Sequence, residues 1–392
     1  MGEWKEMKFS ELVEINPPIS LSRAKEHFYI EMRDMEPARR YAYPQRKRPL
    51  QGGSRFEEGD TLFARISPCT EKGNINQASG LNGEPGYGST EFLVFRAKPG
   101  VSQQDFVLYF SKWNEIKDYA ANNLQGTSGR QRVAKEAFDE LEVIVPEPDE
   151  QRTIASVLSS LDAKIDLLHR QNKTLEAMAE TLFRQWFVEE AEEGWIKRPL
   201  SSIATYLNGV ACQKYPAKDA VNRLPVLKIK ELSAGITDSS DWATSAIDSK
   251  YHVEAGDVVF SWSATLMVKL WDGPKAILNQ HLFKVTSEEF PKWFYFMWTK
   301  HYVVEFVSIA ESHATTFGHI KRGDLDEAMV LVPSSERLNE MTLVMEPLFG
   351  KHITNSAQIK SLTALRDTLL PKLMSGEVRV EGVVKSIEEA KA

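Results

Sequence analysis

The sequence predicts an α/β (α+β) protein in which two globular domains are joined by two long antiparallel coiled-coil helices. Three observations lead to this fold class. The chain contains two diverged copies of one module, each copy ends in a long heptad pattern, and short apolar runs alternate with turns inside each copy. We therefore expect the two halves to be related by pseudo-twofold symmetry.

Composition excludes several classes of protein. The chain has 392 residues, of which 42% are hydrophobic and 10% aromatic, enough for more than one buried core. Cys69 and Cys212 cannot form a disulfide framework, and the N-terminus lacks the apolar core of a signal peptide, so a cytoplasmic location is expected. No apolar run is long enough for a membrane helix. The net charge of −7 restricts any nucleic-acid site to local patches.

The internal repeat is visible in two pairs of matching segments. The turn Gly59-Asp60, which precedes an apolar run, returns as Gly256-Asp257 before a second apolar run. Further along, the segment 138–146 matches the segment 325–333, and both end in the pattern Val-Pro. The distance between matching segments changes along the chain, so the two copies are expected to differ in the lengths of their loops.

The first heptad pattern predicts a coiled-coil helix over residues 150–188. Its core positions recur at alternating steps of four and three residues, and Asn172 occupies one of them. The seam residues of this helix are Ile154, Leu158, Leu161, Ile165, Leu168, Asn172, Leu175 and Leu182. An amphipathic helix on a globular core is the alternative, although such helices usually show a wider apolar stripe.

A second, weaker pattern predicts a distal helix over residues 335–376. Polar residues interrupt its seam at three points. The apolar seam residues chosen here are Ile359, Leu362 and Leu369. Pro347 is expected to kink or restart this helix, and Pro371 to bend its last turn. Each helix must bury its seam, and pairing with the other helix is the simplest way to do so. Because the module between them is compact, antiparallel pairing is favoured over parallel pairing.

These helices divide the chain into five predicted segments. They are a first globular domain at 1–149, a central helix at 150–188, a second globular domain at 189–334, a distal helix at 335–376 and a mobile C-terminal tail at 377–392.

No catalytic or cofactor site is predicted on this chain. Residues 16–19 resemble an adenine-methyltransferase signature but lack its aromatic residue, and no Gly-rich segment for S-adenosylmethionine is present. Asp105, Glu115 and Lys117 fit the pattern of metal-dependent nucleases only loosely, because that chemistry needs carboxylates on adjacent strands and these residues are predicted on one helix. The sequence also lacks a phosphate loop and the usual spacings of zinc ligands. We therefore expect neither a metal nor a cofactor.

Basic loops interleaved with aromatic residues are the candidate DNA-binding elements. Residues 39–48 combine cations with two tyrosines, which suits contacts with phosphates and guanine edges. Residues 125–132 add glycines and hydroxyls, and residues 315–322 are their counterpart in the second copy. The candidate contact residues are Arg39, Arg40, Arg46, Lys47, Arg48, Thr127, Ser128, Arg130, Arg132, Thr315, Thr316, His319, Lys321 and Arg322. Ordinary solvated loops are the alternative, and for Trp262 burial is favoured over stacking on bases.

The order of these motifs resembles the specificity subunits of type I restriction-modification systems. The resemblance covers nearly the whole chain and rests on two diverged modules, each followed by a long helix. Its individual motifs are Gly59-Asp60, Gly256-Asp257, Tyr87–Phe92, Pro146–Gln151, Leu182–Phe187 and Leu369–Glu377. The start of the second helix departs from the pattern, because Glu336-Arg337-Leu338 replaces the Glu-Gln pair that begins the first helix.

This resemblance implies a DNA-recognition subunit without catalytic activity. Each globular domain would read one half of a bipartite, asymmetric site on double-stranded DNA. The helices would set the spacer and bind two methyltransferase subunits, and restriction subunits would join the complex. S-adenosylmethionine and ATP would then belong to the partner subunits. The alternative is a coiled-coil scaffold that binds proteins, and steeply salt-dependent binding to duplex DNA distinguishes the two functions.

Overall fold

The computed structural model describes residues 4–127, 129–312 and 319–380. The chain divides into two compact units: unit 1 comprises residues 1–167 and 359–392, and unit 2 comprises residues 168–358. Each unit contains one globular module and a part of both long helices. The predicted mixture of helices, strands and two long helices is confirmed. Among the described residues, no helix has the length and apolar character needed to cross a membrane.

The first module consists of short strands and four helices. Its strands are β1 (Lys5–Lys8), β2 (Val13–Ile15), β3 (Glu26–Ile30), β4 (Tyr41–Ala42), β5 (Arg46–Pro49), β6 (Arg55–Phe56), β7 (Thr61–Ala64), β8 (Ile75–Ala78), β9 (Gly86–Gly88), β10 (Phe92–Ala97), β11 (Leu124–Gln125), β12 (Arg132–Val133) and β13 (Glu142–Val145). Its helices are α1 (Phe9–Leu12), α2 (Gln104–Lys112), α3 (Asn114–Asn122) and α4 (Lys135–Asp139). The long helix α5 (Pro148–Arg184) follows, and a π-helical turn continues it to Glu189.

The second module repeats this arrangement with fewer strands. Its strands are β14 (Ile196–Pro199), β15 (Thr205–Asn208), β16 (Arg223–Leu227), β17 (Trp242–Thr244), β18 (His252–Val253), β19 (Val258–Ser261), β20 (Met267–Leu270), β21 (Ala276–Leu278), β22 (Leu282–Thr286) and β23 (Met329–Val332). Its helices are α6 (Leu200–Ile203), α7 (Ile229–Ala234), α8 (Lys292–Ser312) and α9 (Arg322–Glu327), and the second long helix α10 (Ser335–Met374) follows.

The strand pairing of the two modules is equivalent. The sheet β2-β10-β7-β8-β4 of the first module corresponds to β15-β22-β19-β20 of the second, and β5-β3-β9-β6 corresponds to β17-β16-β21-β18. In each of the latter sheets the central pair, β3 with β9 or β16 with β21, is parallel, whereas the outer strands pair antiparallel. The predicted internal duplication is therefore confirmed by topology.

The Gly-Asp turns that revealed the repeat also have the same geometry. Gly59 has φ +90° and Gly256 has φ +89°, values in the left-handed region that favours glycine. The carboxylates of Asp60 and Asp257 each accept a hydrogen bond of 2.8 Å from the backbone N–H three residues earlier. Asp60 also forms an ion pair with Arg96 of the adjacent strand β10, and Asp257 forms one with Lys284 of β22. Both turns thus fix the start of the strand that follows them.

Aromatic side chains from strands and helices form the core of the first module. The rings of Phe9 and Phe95 lie 5.1 Å apart, and those of Phe95 and Phe138 lie 5.2 Å apart. The single helix predicted around Phe106 is in fact two helices, α2 and α3. The chain leaves the helical region at Trp113, which has ψ 141° and whose N–H donates to the carbonyl of Phe110.

Both units contain antiparallel segments of the long helices. In unit 1, Ile154 and Leu158 of α5 belong to the same buried cluster as Leu373 of α10. In unit 2, Asn172 of α5 contacts Asn355 of α10, with 3.0 Å between the Asn355 Nδ2 and the Asn172 Oδ1. Other predicted seam positions are buried or half-buried: Leu161, Ile165, Leu168, Leu175, Leu182, Ile359, Leu362 and Leu369. The helices therefore bury their heptad faces against each other within each unit.

Two expectations about the helix limits are corrected. The first long helix begins at Pro148 rather than at residue 150. The second runs without interruption through Pro347 and Pro371, so the predicted restart is wrong. Pro347 is exposed, and Leu343, whose carbonyl loses its helical partner, is 78% exposed, so water can satisfy that carbonyl.

The segment that follows α10 is packed rather than mobile as far as it is described. Val378 and Val380 contact the core of the first module, and Arg379 forms an ion pair with Glu150 at the start of α5. The Arg379 guanidinium also lies 5.3 Å from the ring centre of Trp4. The predicted mobile tail is therefore wrong for residues 377–380, because apolar and ionic contacts hold them; residues 381–392 lie outside the described residues.

Candidate nucleic-acid interface

Arg40, a predicted DNA-contacting residue, is buried inside unit 1. Its side chain is 7% exposed, and its Nη2 lies 2.6 Å from the Asp105 Oδ1. It also donates to the Gln77 Oε1 at 3.0 Å. Burial raises the pKa of Asp105, but the Arg40 charge and the hydrogen bonds to the carboxylate outweigh burial and hold this pKa below its ordinary value. The prediction for Arg40 is corrected: the guanidinium is an internal ion-pair partner, since a buried cation needs a carboxylate.

The buried polar cluster extends from Arg40 to the long helices of unit 1. The Tyr109 Oη donates to the Asp162 Oδ2 of α5 at 2.8 Å. Arg366 of α10 lies 2.7 Å from the Asp162 Oδ1 and donates to the carbonyl of Ala38 at 2.8 Å. The Lys112 Nζ donates to two further carbonyls of the same loop, at 3.0 and 2.7 Å. The first basic loop is therefore held against the helices at its beginning.

The remaining cations of this loop keep exposed surface. Arg39 lies 3.4 Å from Glu36. The other three cations, Arg46, Lys47 and Arg48, belong to β5, the edge strand of its sheet. Successive residues of a strand point to opposite faces, so these three cations divide between two faces. Arg46 and Arg48 pair with Glu31, and Lys47 pairs with Glu84. Contact of these four residues with DNA stays a prediction.

The second candidate loop connects β11 to β12 and is attached to the strand-end loop after β7. Arg132 forms a bridge with Ile66, and the Val133 N–H donates to the carbonyl of Arg65 at 2.9 Å. The Arg132 guanidinium binds both carboxylate oxygens of Glu91, with contacts from 2.6 to 3.0 Å. These hydrogen bonds lower the pKa of Glu91. Arg132 is therefore paired within the module and holds the base of the loop.

The tip of this loop is accessible. Thr127 and Arg130 are exposed. The Arg130 side chain has no ion-pair partner among residues 4–127, 129–312 and 319–380, whereas its carbonyl accepts a hydrogen bond of 3.1 Å from Arg132. Ser128 lies outside the described residues. Arg130 is thus an exposed cation without an ion-pair partner in the described part of the chain, and its contact with a phosphate stays a prediction.

The corresponding loop of the second module is attached in the same way. His319 forms a bridge with Ser263, and the Ile320 N–H donates to the carbonyl of Trp262 at 3.1 Å. Lys321 and the following Arg322 are exposed at the start of α9. Thr315 and Thr316 lie outside the described residues. For the described part of the loops, the predicted equivalence of the two copies is therefore confirmed.

Two residues face these loops from the neighbouring strand ends: sequence reasoning missed Arg65 and set Trp262 aside. Arg65 lies 3.9 Å from Glu91 in the first module. Trp262, for which burial was favoured, is half-buried and its Nε1 donates to the Asn208 Oδ1 at 3.2 Å in the second. The signal that finds them is the repeat itself, since Arg65 and Trp262 stand at matching positions after the Gly-Asp turns.

Two of the side chains set aside as catalytic candidates, Asn16 and Asp105, have partners within the first module. Asn16 has φ +56°, and its Oδ1 accepts the Val94 N–H at 2.9 Å, so it shapes the turn between β2 and β3. Asp105 lies on α2, whereas Glu115 and Lys117 lie on α3. Among the described residues, no group of three or more His, Cys, Asp or Glu side chains is placed to hold a metal ion.

Comparison with known proteins shows that most of the chain is similar to type I restriction enzyme specificity subunits. Residues 1–177 match the family described as Type I restriction modification DNA specificity domain. The chain is 26% identical over 309 residues to the type I restriction enzyme MjaIX specificity subunit of Methanocaldococcus jannaschii, a match that covers 72% of this chain and 71% of that protein. It is 20% identical over 411 residues to the HindI specificity subunit of Haemophilus influenzae, with 84% and 89% covered.

A solved structure has the same fold. The S subunit of the type I restriction-modification system from M. genitalium is 15% identical to this chain and superposes with a TM-score of 0.56, covering 94% of this chain and 96% of that one. The structural likeness shows the fold alone, whereas the sequence matches show which proteins the chain resembles. With its duplicated modules and its two long helices, the chain is similar over most of its length to type I restriction enzyme specificity subunits, and residues 1–177 match the DNA specificity domain of that family.

Proposed function

We propose that this chain is the non-catalytic recognition subunit of a type I restriction-modification enzyme, in which each module reads one half of a bipartite, asymmetric DNA sequence. The observation that carries the proposal is the repeated strand pairing: one fold occurs twice, with different side chains on its loops. Equivalent folds provide equivalent docking to the duplex, and different side chains provide different base preferences. The two half-sites should therefore differ in sequence.

The long helices are proposed to set the spacer between the half-sites. Helix α5 has 37 residues and α10 has 40. At ~1.5 Å per residue such helices are about 55 to 60 Å long, more than the ~34 Å of one DNA turn that separates half-sites in many dimeric readers. Because α5 is one unbroken helix, its length is a fixed quantity of the chain.

The helices are also proposed to bind the partner subunits. Two methyltransferase subunits would dock on them, and restriction subunits would join the assembly in the cytoplasm. S-adenosylmethionine and ATP would be bound by those partners, because the sequence of this chain has no phosphate loop and no S-adenosylmethionine segment. Several exposed apolar side chains on α5 and α10 favour such docking, among them Met178 and Leu343.

The experiment that tests this function compares genome-wide adenine methylation in cells with and without this chain, with the methyltransferase subunit present in both. We expect a two-part asymmetric motif that is methylated only when the chain is present. The alternative, a coiled-coil scaffold for other proteins, predicts no dependent motif. In that case the purified complex would also lack the steep fall of log affinity for duplex DNA with log salt concentration.

A further inference from the structure

Three residues at equivalent positions of the two modules differ in side-chain type, and we call each set of three a corner. The first corner consists of Arg65, Glu91 and Arg132, and the second corner consists of Trp262, His281 and His319. Each corner lies where the end of a central strand, the start of its neighbour and the candidate DNA loop meet.

Backbone hydrogen bonds establish that these positions correspond. In the first module, the Val133 N–H donates to the backbone carbonyl of Arg65, and the Arg65 N–H donates to the backbone carbonyl of Glu91, both at 2.9 Å. In the second module, the Ile320 N–H donates to the backbone carbonyl of Trp262 at 3.1 Å. Glu91 and His281 each directly precede the strand, β10 or β22, that pairs with the central strand. The isolated bridges made by Arg132 and His319 occupy matching places as well.

The first corner holds two guanidinium groups around one carboxylate. Arg132 forms the short bidentate pair with Glu91, and its Nη1 donates to the carbonyl of Arg130 at 3.1 Å. Arg65 lies farther from Glu91, at 3.9 Å, and its Nε finds no hydrogen-bond partner among the described residues. The Arg65 side chain is 30% exposed. The Arg65 guanidinium therefore keeps donors that no described residue binds, in the module whose candidate DNA loop carries the exposed Arg130.

The second corner has no permanently charged side chain. The Trp262 ring centre lies 6.0 Å from that of His281 and 6.3 Å from that of His319. The His281 Nδ1 lies 3.3 Å from the Ser263 Oγ, and the indole N–H is already bound to Asn208. This corner therefore offers flat, largely apolar ring surfaces in place of an arginine fork.

We propose that this corner determines the base at one position of each half-site, and that the two modules choose different bases there. Arg65 donates to the O6 and N7 acceptors of a guanine in the major groove, while the Glu91–Arg132 pair positions it. The Trp262 ring contacts the methyl group of a thymine. Both assignments follow from the edges that bases present in the major groove. The inference rests on the proposed function, because it names residues that perform the recognition.

The test uses the assembled methyltransferase complex with Arg65→Gln and Trp262→Ala, and determines the methylated motif of each variant by sequencing. Arg65→Gln should relax or change one G·C position of one half-site and leave the other half-site intact. Trp262→Ala should relax one A·T position of the other half-site only. Arg33→Gln, an exposed arginine of the first module that pairs with Glu31, is the matched control and should leave the motif unchanged.

Binding measurements keep the test decisive if a variant methylates too slowly. Gel-shift titration against duplexes that differ by single base pairs should show that the wild-type complex discriminates roughly 5- to 150-fold at the guanine position. Arg65→Gln, and to a smaller extent Arg65→Lys, should remove most of that discrimination while the variants keep the wild-type melting temperature. Discrimination that is unchanged at every position of both half-sites overturns the inference. A wild-type complex without any motif overturns the proposed function instead.

Discussion

At the scale of single residues, the surroundings of a cation decide its role more than the sequence pattern does. Arg39 and Arg40 are adjacent in one basic run, yet Arg40 is buried against Asp105 while Arg39 keeps exposed surface. The sequence indicates that a basic loop exists, but the partner of Arg40 comes from α2, more than sixty residues later. Pairings between positions so distant in the chain depend on the completed tertiary structure, so local patterns do not predict them.

The exposed cations at the loop tips should contribute to DNA affinity. Arg130→Ala and Lys321→Ala each remove one positive charge that has no buried carboxylate partner, so the protein should stay folded and bind DNA more weakly. Loss of one phosphate contact should also reduce the slope of log affinity against log salt by about 1. Gel shifts of the assembled complex at several salt concentrations measure both quantities. Arg152→Ala, in an exposed ion pair on α5, is the control. Unchanged affinity and slope would exclude these two residues from the interface.

Lys112 should make the stability of unit 1 depend on pH. Burial lowers its pKa from 10.5 to about 7, against the attraction of Asp162. Between these two values the unfolded chain binds a proton that the folded chain does not, so this residue makes the free energy of unfolding rise with pH. The slope is at most ~1.4 kcal/mol per pH unit.

The measurement for Lys112 is chemical unfolding at several values of pH between 7 and 9, for the wild-type protein and for Lys112→Met. The difference in unfolding free energy, wild type minus variant, should grow as the pH rises. If the two curves are parallel over this range, Lys112 has an ordinary pKa.

At the scale of elements, the long helices are the part that the sequence predicts best. The heptad pattern indicates both helices, because a sustained period of 3.5 residues is typical of coiled coils. Their antiparallel pairing is predicted from the compact module that lies between them in the sequence. Three polar interruptions of the second seam are explained only by the structure: His352, Asn355 and Arg366 each meet a polar partner on α5 within their own unit. The heptad pattern identifies the positions of these polar residues. Their burial is tolerated because α5 supplies a polar partner for each of them.

The buried pair between Asp162 and Arg366 should be strongly coupled. Arg366→Leu leaves the Asp162 carboxylate without its cation and should cost about 3–5 kcal/mol of stability. The double variant Asp162→Leu, Arg366→Leu removes both charges and should recover much of that loss. Urea unfolding of the single and double variants measures the coupling, and Arg152→Leu on the exposed face should cost under about 1 kcal/mol. Additive losses in the double variant would contradict the coupling.

At the scale of the whole molecule, the duplication is readable from sequence, whereas the division into units is not. The sequence suggests segments that end where the helices begin, but the compact units each include parts of both helices. The cause is packing: α5 and α10 bury their apolar faces against the modules as well as against each other, as the shared clusters show. Sequence periodicity identifies which residues are buried and does not identify what buries them.

Shortening both helices by one heptad should change the spacer of the DNA site. Residues 170–176 and 352–358 lie opposite each other in unit 2 and contain the partnered polar residues, so deleting both keeps the seam in phase. The loss of about 10 Å of helix corresponds to a spacer shorter by about three base pairs. Sequencing of methylated sites should show the new spacing with both half-sites unchanged. Altered half-sites with the original spacing would contradict a role of the helices in setting the distance.

Unit 1 is assembled from two distant stretches of chain. Its β-rich module is complete by residue 145, but Leu373 and Val380 close its core and Arg379 pairs with Glu150. The first module therefore emerges from the ribosome long before the residues that cover it have been synthesised, whereas unit 2 is one continuous stretch of chain. During translation the nascent first module exposes apolar surface that a chaperone can bind, and its folding ends only after that of unit 2 has become possible.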